Sequence, residues 1–441
     1  MRGTAKVLRI LLLAILLVLA GTTVFYSVTK TLEPAGGIDF HSYWYSGHFL
    51  RQGVDPYRAY LQELIPDPQV HYLDSATRSA GAIAQPGLAN VPANTAPVVI
   101  ALSALAFFTW PTAKLLWLAI NLLLMFVIPG LVIRLLPSDR TLDAYTKALI
   151  YLAFLGMFGT RNIAGNGQTS LIIFAFMLLA LLSLRRSWLA AGVWLGLALS
   201  KYSLSLPVFI YFIVKKQYRA AVTGLLVQAL AAALLSVLTR TSPVVIVYEY
   251  LQILGVHTNL PGIQLGSLYP GSPFLGIAAT AGMTLVLFIA LMVWFRRLSG
   301  RLVLDSWLEQ FSGNHLMTAL MLWTLLVAYH RAYDSFVAVL FFAMVIYGLS
   351  GDVGWRLTSS QRKALAFSSV LAYIPLSLPA RGITFIARAL PDESLVRWLD
   401  FQGALLTLTL LVMLAATLWL LYHISFQDTK GDKQVSGQAR Y

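Results

Sequence analysis

Between Lys114 and Arg134 the chain runs nineteen residues, Leu115 to Ile133, without one charge. At the helical rise of 1.5 Å per residue such a stretch is about 28 Å long, close to the ~30 Å hydrocarbon core of a bilayer. Inside lipid every backbone amide and carbonyl must bond within the protein, which leaves helices or closed barrels. The run is continuously apolar rather than alternating, and that selects the helix. It does not stand alone: apolar runs of spanning or near-spanning length recur at about 7–26, 113–136, 147–160, 168–184, 188–200, 203–214, 220–239, 273–295, 315–328, 333–350, 363–379 and 398–423. Only 11% of the 441 residues are charged, against roughly 25% in soluble domains. The expected fold class is an all-α polytopic membrane protein, multi-pass in a cell (plasma or inner) membrane.

Composition narrows the chemistry. There is no cysteine, so disulfides and thiolate catalysis are excluded. A net charge of +14 would suit nucleic acid, but Lys and Arg gather in short loops between apolar runs, which is the pattern that orients a chain in a bilayer. No nucleic-acid partner is expected; membrane lipids are. The run at 7–26 is too long for the apolar part of a signal peptide and reads as a retained first helix. A thirteenth run, 94–110, is arbitrated by the positive-inside tendency. If it does not cross, 20 of the 32 Lys and Arg fall on the cytoplasmic side. The reading is twelve spans, both termini cytoplasmic, and 94–110 re-entrant or interfacial. Runs 188–200 and 203–214 are its short hairpin, with Lys201 at the tip. Residues 1–426 form one transmembrane domain, 27–112 a large external loop with interfacial helices, and 427–441 a disordered cytoplasmic tail. The regions 240–272 and 380–397 are also external, the former irregular on account of its Gly and Pro.

This topology gathers polar residues from distant parts of the chain on the outer face. Asp39 and Tyr43, four apart, share a helical face in Gly37-Ile38-Asp39-Phe40-His41-Ser42-Tyr43-Trp44-Tyr45. Gly53-Val54-Asp55-Pro56-Tyr57 follows as a turn. Arg161 and the Gly165-Asn166-Gly167-Gln168 segment join the third and fourth spans. Lys201 caps the hairpin, Tyr329-His330-Arg331-Ala332-Tyr333-Asp334 joins the ninth and tenth spans, and Arg381 and Arg388 follow the eleventh. Ionisable groups at membrane depth cost roughly 2.5–3.5 kcal/mol each on insertion scales, so they persist mostly where they pair or serve a site. One carboxylate facing several cations near lipid suits transfer from a lipid phosphate. Asp39 would take the proton of an acceptor hydroxyl; Arg161, Lys201, His330 and Arg331 would hold the departing phosphate.

Four patterns carry a resemblance. They are Asp39-x3-Tyr43 with Gly53-x2-Pro56-Tyr57; Gly167-Gln168 opening an apolar helix; Ala191-Gly192-x3-Gly196-x4-Lys201 before a basic loop; and Tyr329-His330-x2-Tyr333-Asp334. In this order they resemble the polytopic GT-C glycosyltransferases. Within these they resemble the polyprenyl-phosphate-mannose-dependent mannosyltransferases of phosphatidylinositol mannoside assembly and their arabinofuranosyltransferase relatives. The resemblance implies the GT-C fold, with catalytic Asp39 in the first external loop and a functional His330. It implies an inverting transfer of a sugar, mannose by preference, from a polyprenyl-phosphate donor to a lipid-linked or glycan acceptor. Tyr43, Tyr57, Gln168, Arg161, Lys201 and Arg331 are then substrate- or phosphate-binding. No cofactor and no metal is expected, since no His, Cys or carboxylate cluster has zinc spacing.

Plainer readings stand beside these. Asp39 has the chemistry of a helix N-cap. His330 and Asp334 sit at helical spacing and would pair with each other. Lys201 would snorkel to an interface, and the glycines of 165–167 would serve only a tight turn. His41 and His48 read as interfacial polar residues. As a whole, the chain has the alternatives of a transporter or lipid flippase, though it lacks the internal repeat such folds often show, and of a membrane scaffold.

Overall fold

The computed structural model describes residues 2–33, 36–64, 94–137, 141–258, 265, 278–287, 289, 306–328, 330, 332–350, 357–378 and 403–421. Within them the regular structure is helical, with no strand. The helices are α1 (Arg2–Leu32), α2 (Ile38–Arg51), α3 (Pro56–Leu64), α4 (Ala96–Ser103), α5 (Trp110–Leu135), α6 (Ala144–Leu155), α7 (Phe158–Asn166), α8 (Ser170–Ser183), α9 (Trp188–Ala198), α10 (Tyr202–Val214), α11 (Tyr218–Thr239), α12 (Pro243–Thr258), α13 (Ala278–Leu287), α14 (Ser306–Val327), α15 (Val339–Leu349), α16 (Ser359–Ser377) and α17 (Gly403–Leu421).

Five helical runs among the described residues are long and apolar enough to cross a membrane: Val7–Leu32, Trp110–Leu135, Trp188–Val214, Tyr218–Thr239 and Gly403–Leu421. Counting α6 with α7 as one broken span makes six. This is a multi-pass membrane protein. Two expectations need correction. The arms 188–200 and 203–214 are not a hairpin: α9, a 3-10 turn at Leu199–Lys201 and α10 run on as one 27-residue segment. Two apolar arms of about a dozen residues each reach only part-way across a bilayer, whereas joined they match its thickness. The basic pairs Arg185-Arg186 and Lys215-Lys216 therefore flank opposite ends of one helix. The region 240–272 is also more regular than its Gly and Pro suggested, because α12 occupies its first part and Pro243 stands at the helix start, where its missing amide costs nothing. The run 94–110 is α4 extended by a 3-10 turn, Ala104–Phe107. Its twelve residues span roughly 20 Å, too short to cross.

The chain forms two compact units. One comprises Val18–Leu131 and Gly159–Leu260; the other Met1–Leu17, Val132–Phe158 and Pro261–Tyr441. In the first, α9 packs between α8 and α11. A side chain at Gly192 would meet Thr223, and one at Gly196 would come within 2.5 Å of Val227 Cβ. Without a hydrophobic drive between helices in lipid, such close approach at small residues supplies the packing. The Ala191-Gly192-x3-Gly196 pattern is thereby explained structurally. In the same unit α2 lies on α4. Its Phe40 is fully buried, stacked on Trp117 at 5.1 Å and Trp110 at 5.8 Å.

In the second unit α15 packs on α6, α14 and α16. Tyr373 Oη donates to the Ala153 carbonyl (2.9 Å) and Asn314 Nδ2 to that of Leu135 (2.7 Å). The tail 427–441 and the region 380–397 lie outside the described residues.

Candidate functional site

Asp39 sits in the first turn of α2, but it is not the cap. The N-cap is Gly37, at φ 72°, with no side-chain cap bond. The carboxylate lies in the first turn, where the positive end of the helix dipole favours it. It is half-buried, and its charge is felt by the phenol of Tyr43 one turn on. That phenol is buried and faces the Thr169 hydroxyl; burial, more than the nearby carboxylate, holds its proton on well beyond the ordinary range.

Thr169 and Ser170 begin α8, and both are buried. Thr169 Oγ1 accepts from Asn94 Nδ2 at 2.7 Å, and Ser170 Oγ accepts from Lys201 Nζ at 2.7 Å. Lys201 stands at the break between α9 and α10 with φ −120° and ψ 78°. The carbonyl of Ser200 beside it is claimed by the Thr95 amide at 2.9 Å instead of by the helix. The lysine thus points at the N-terminus of a neighbouring helix. Tyr43, Thr169, Ser170 and Lys201 form one polar cluster across three elements of a single unit, with Asp39 one turn from Tyr43 on α2. First-turn amides have no partner inside their helix, so a helix N-terminus beside an ammonium suits an anion.

The Gly165–Gln168 segment closes this cluster from the α7 side. Gly167 has φ 74°, and a Cβ there would come 2.8 Å from that of Phe40; the tight-turn reading of this glycine holds. Its carbonyl accepts from Trp117 Nε1 at 2.8 Å, and the Gly37 amide donates to the Gly165 carbonyl at 3.3 Å. The turn is therefore fixed against the start of α2, with half-buried Gln168 beside it. Arg161 lies one turn further back on α7, its guanidinium 5.0 Å from the Tyr26 ring centroid.

Other residues hold the frame. Tyr57 is 1% exposed, and its hydroxyl donates to the Asn94 carbonyl at 2.8 Å. It braces Asn94 and offers no exposed group to a ligand. Asp55 Oδ1 caps α3 by accepting from the Tyr57 amide at 2.9 Å. Its Oδ2 and the Oε2 of Glu249 on α12 are both buried without a donor. Burial first, and the facing Glu249 second, push the Asp55 carboxyl up to about 6. Arg58 Nε holds the outer oxygen of Glu249 at 2.8 Å.

His330 belongs to the other unit. Its Nδ1 lies 3.2 Å from Asp334 Oδ2 with both side chains buried, so the pairing read from their spacing is present. A carboxylate on Nδ1 makes that nitrogen the donor and leaves Nε2 as the acceptor; Nε2 is buried without a partner. Arg331, Arg381 and Arg388 lie outside the described residues. Sequence reasoning missed Thr169, Ser170 and Asn94. Their only signal was position just before an apolar helix, which every N-cap shares.

In this many-helix membrane chain a carboxylate, a lysine and a helix N-terminus belong to one unit. Residues 94–304 match the sequence model of glycosyltransferase family 87, just under half the chain. The match includes Arg161, Gln168, Thr169, Ser170 and Lys201; Asp39 and His330 fall outside it. It supports a glycosyltransferase. No curated protein and no solved structure matches the chain.

Proposed function

We propose that this protein is an inverting glycosyltransferase that moves a sugar from a polyprenyl phosphate to an acceptor hydroxyl within the membrane. The observation that carries the reading is the polar cluster of Tyr43, Thr169, Ser170 and Lys201, with Asp39 one turn from Tyr43 on α2. The family match supports the class of reaction; mannose and a lipid-linked or glycan acceptor rest on the resemblance in the motifs.

The donor phosphate would sit at the start of α8, its charge met by Lys201 and the first-turn amides. The acceptor hydroxyl gives its proton to Asp39, and its oxygen bonds to the anomeric carbon from the opposite side. The bond from that carbon to the phosphate oxygen breaks, and polyprenyl phosphate leaves with the electron pair. Charge grows on the leaving phosphate as it departs, so a fixed cation there contributes more in the transition state than in the ground state. The partly buried Gln168 turn would shape the donor side, and Arg161 would lend long-range positive charge.

The test is release of polyprenyl phosphate from a panel of polyprenyl-phosphate sugars by purified protein. Asp39→Asn keeps the shape of the side chain; it should bind donor and lose at least about 100-fold in turnover, the scale of general-base loss. Wild-type turnover in this variant refutes the assignment of the base. Movement of labelled lipid across liposomes without sugar transfer would establish the transporter reading instead.

A further inference from the structure

On the far side of α2 from Asp39 lies an open groove of about 430 Å³, lined by His41, Trp44, Tyr45, His48 and Gln52, with Trp110 from the start of α5 as one wall. The transfer chemistry does not use it, and its α2 residues precede the stretch that matches the family model. At 100° per residue these α2 positions fall roughly 140–240° around the helix from Asp39. Asp39, Tyr43 and Ser46 occupy the opposite face. We infer that the groove seats an uncharged sugar ring of an extended glycan acceptor, one that is not the ring being glycosylated. This rests on the glycosyltransferase reading.

The lining carries the argument. Trp44 and Trp110 stand 5.4 Å apart, His41 meets Trp110 edge-on at 4.9 Å, and His41 stacks on Tyr45 at 5.9 Å. Aromatic faces are electron-rich, and the C–H face of a pyranose presents partial positive charge to them. Set among these rings, His48 Nε2 is buried without a partner, and the Gln52 amide lies at the groove mouth. Ring faces with a few convergent polar groups, at this volume, make a small-molecule site. Charge selects among occupants. Among the described residues no carboxylate, lysine or arginine lines the groove; Arg51, just before Gln52, is turned onto Phe107, 4.9 Å from its ring, and donates to the Ala106 carbonyl. Burial, then its neighbour His48, lowers the His41 imidazole to about 4; burial, then Arg51, lowers His48 too. Both are neutral near pH 7. A phosphate would find no counter-charge here, and an acyl chain would leave the His48 nitrogen unpaired. A neutral polyol satisfies both rings and nitrogen. The separation from Asp39 is about one helix diameter, ~10 Å, so the bound ring lies beyond the reacting one.

The experiment is saturation-transfer NMR on the full chain in nanodiscs, with methyl hexosides and oligosaccharides of two to four hexoses as probes and no donor present. Wild-type and Asp39→Asn proteins should both transfer saturation to the oligosaccharides. His48→Ala with Gln52→Ala, which removes the His48 contact on Trp44 but keeps the Trp44–Trp110 and His41–Trp110 contacts, should weaken binding at least fivefold; Trp44→Leu should abolish it. In turnover, the double variant should lower the ratio of kcat/KM for long over short acceptors about tenfold. Equal glycan binding by wild type and both variants overturns the inference, as does transfer activity with no glycan binding at all. Quenching of Trp44 by brominated lipid that glycans do not relieve assigns the groove to the bilayer and also overturns it. Glycan binding without transfer from any donor would defeat the enzyme reading and leave the groove standing.

Discussion

At the scale of residues, position alone decided more than residue type. Asp39 has the chemistry of a cap, yet the N-cap is Gly37, two residues earlier, and Asp39 takes a place inside the first turn instead. Lys201 has the length to snorkel, yet its ammonium is fixed on Ser170 at 2.7 Å. Hydrogen bonds involving a charged group contribute about 1.5–3 kcal/mol. Lys201→Ala should therefore raise the donor KM by roughly 10- to 100-fold, with Lys201→Arg partly rescuing it; donor titration of each variant reads this directly. Asp55 supplies a pH signature. Its carboxyl lies at about 6 when folded and near 3.8 when free. The folded chain therefore holds the extra proton between those values, and the contribution of Asp55 to stability is present below about 3.8 and lost as pH rises through 6. Asp55→Asn keeps the cap and removes this titration. The melting temperature of wild type relative to Asp55→Asn should be higher at pH 4.5 than at pH 7.5.

Elements explain motifs that seemed chemical. The Gly192 and Gly196 spacing lets α9 approach α11 closely, a packing role independent of any sugar. Gly196→Leu should cost about 1–3 kcal/mol by overpacking, read as a lower detergent-melting temperature with loss of activity only in proportion to unfolded protein. The hairpin expected at 188–214 was a matter of periodicity being silent about direction. Two apolar runs separated by Ser200-Lys201-Tyr202 read alike whether the chain turns back or continues. What decided for continuation is the 3-10 turn, which bends the helix without reversing it and hands the Ser200 carbonyl to Thr95. Because the chain has no native cysteine, single cysteines at Arg186 and Gln217 can be labelled from each side of sealed vesicles. They should react from opposite sides; labelling from one side would restore the hairpin.

For the whole molecule, class was written in the sequence and the site was not. Uncharged runs such as Leu115–Ile133 admit only a helix in lipid, because an unpaired backbone amide there costs several kcal/mol. That constraint is local, and it gave a multi-pass helical protein without any knowledge of the fold. The carboxylate, lysine and histidine were also visible one by one, since charge in an apolar chain is conspicuous. Their partners were not. Thr169, Ser170 and Asn94 are ordinary polar residues that matter because α8 starts where the break in 188–214 delivers an ammonium. The buried Asp55–Glu249 pair joins positions almost two hundred residues apart. His41 and His48 read as interfacial polar residues until Trp110, from the start of α5, made one wall of a groove around them. Hydropathy acts on each segment separately and can be read along a line; hydrogen bonds, facing carboxylates and ring stacking depend on which segments become neighbours, and only tertiary packing chooses them.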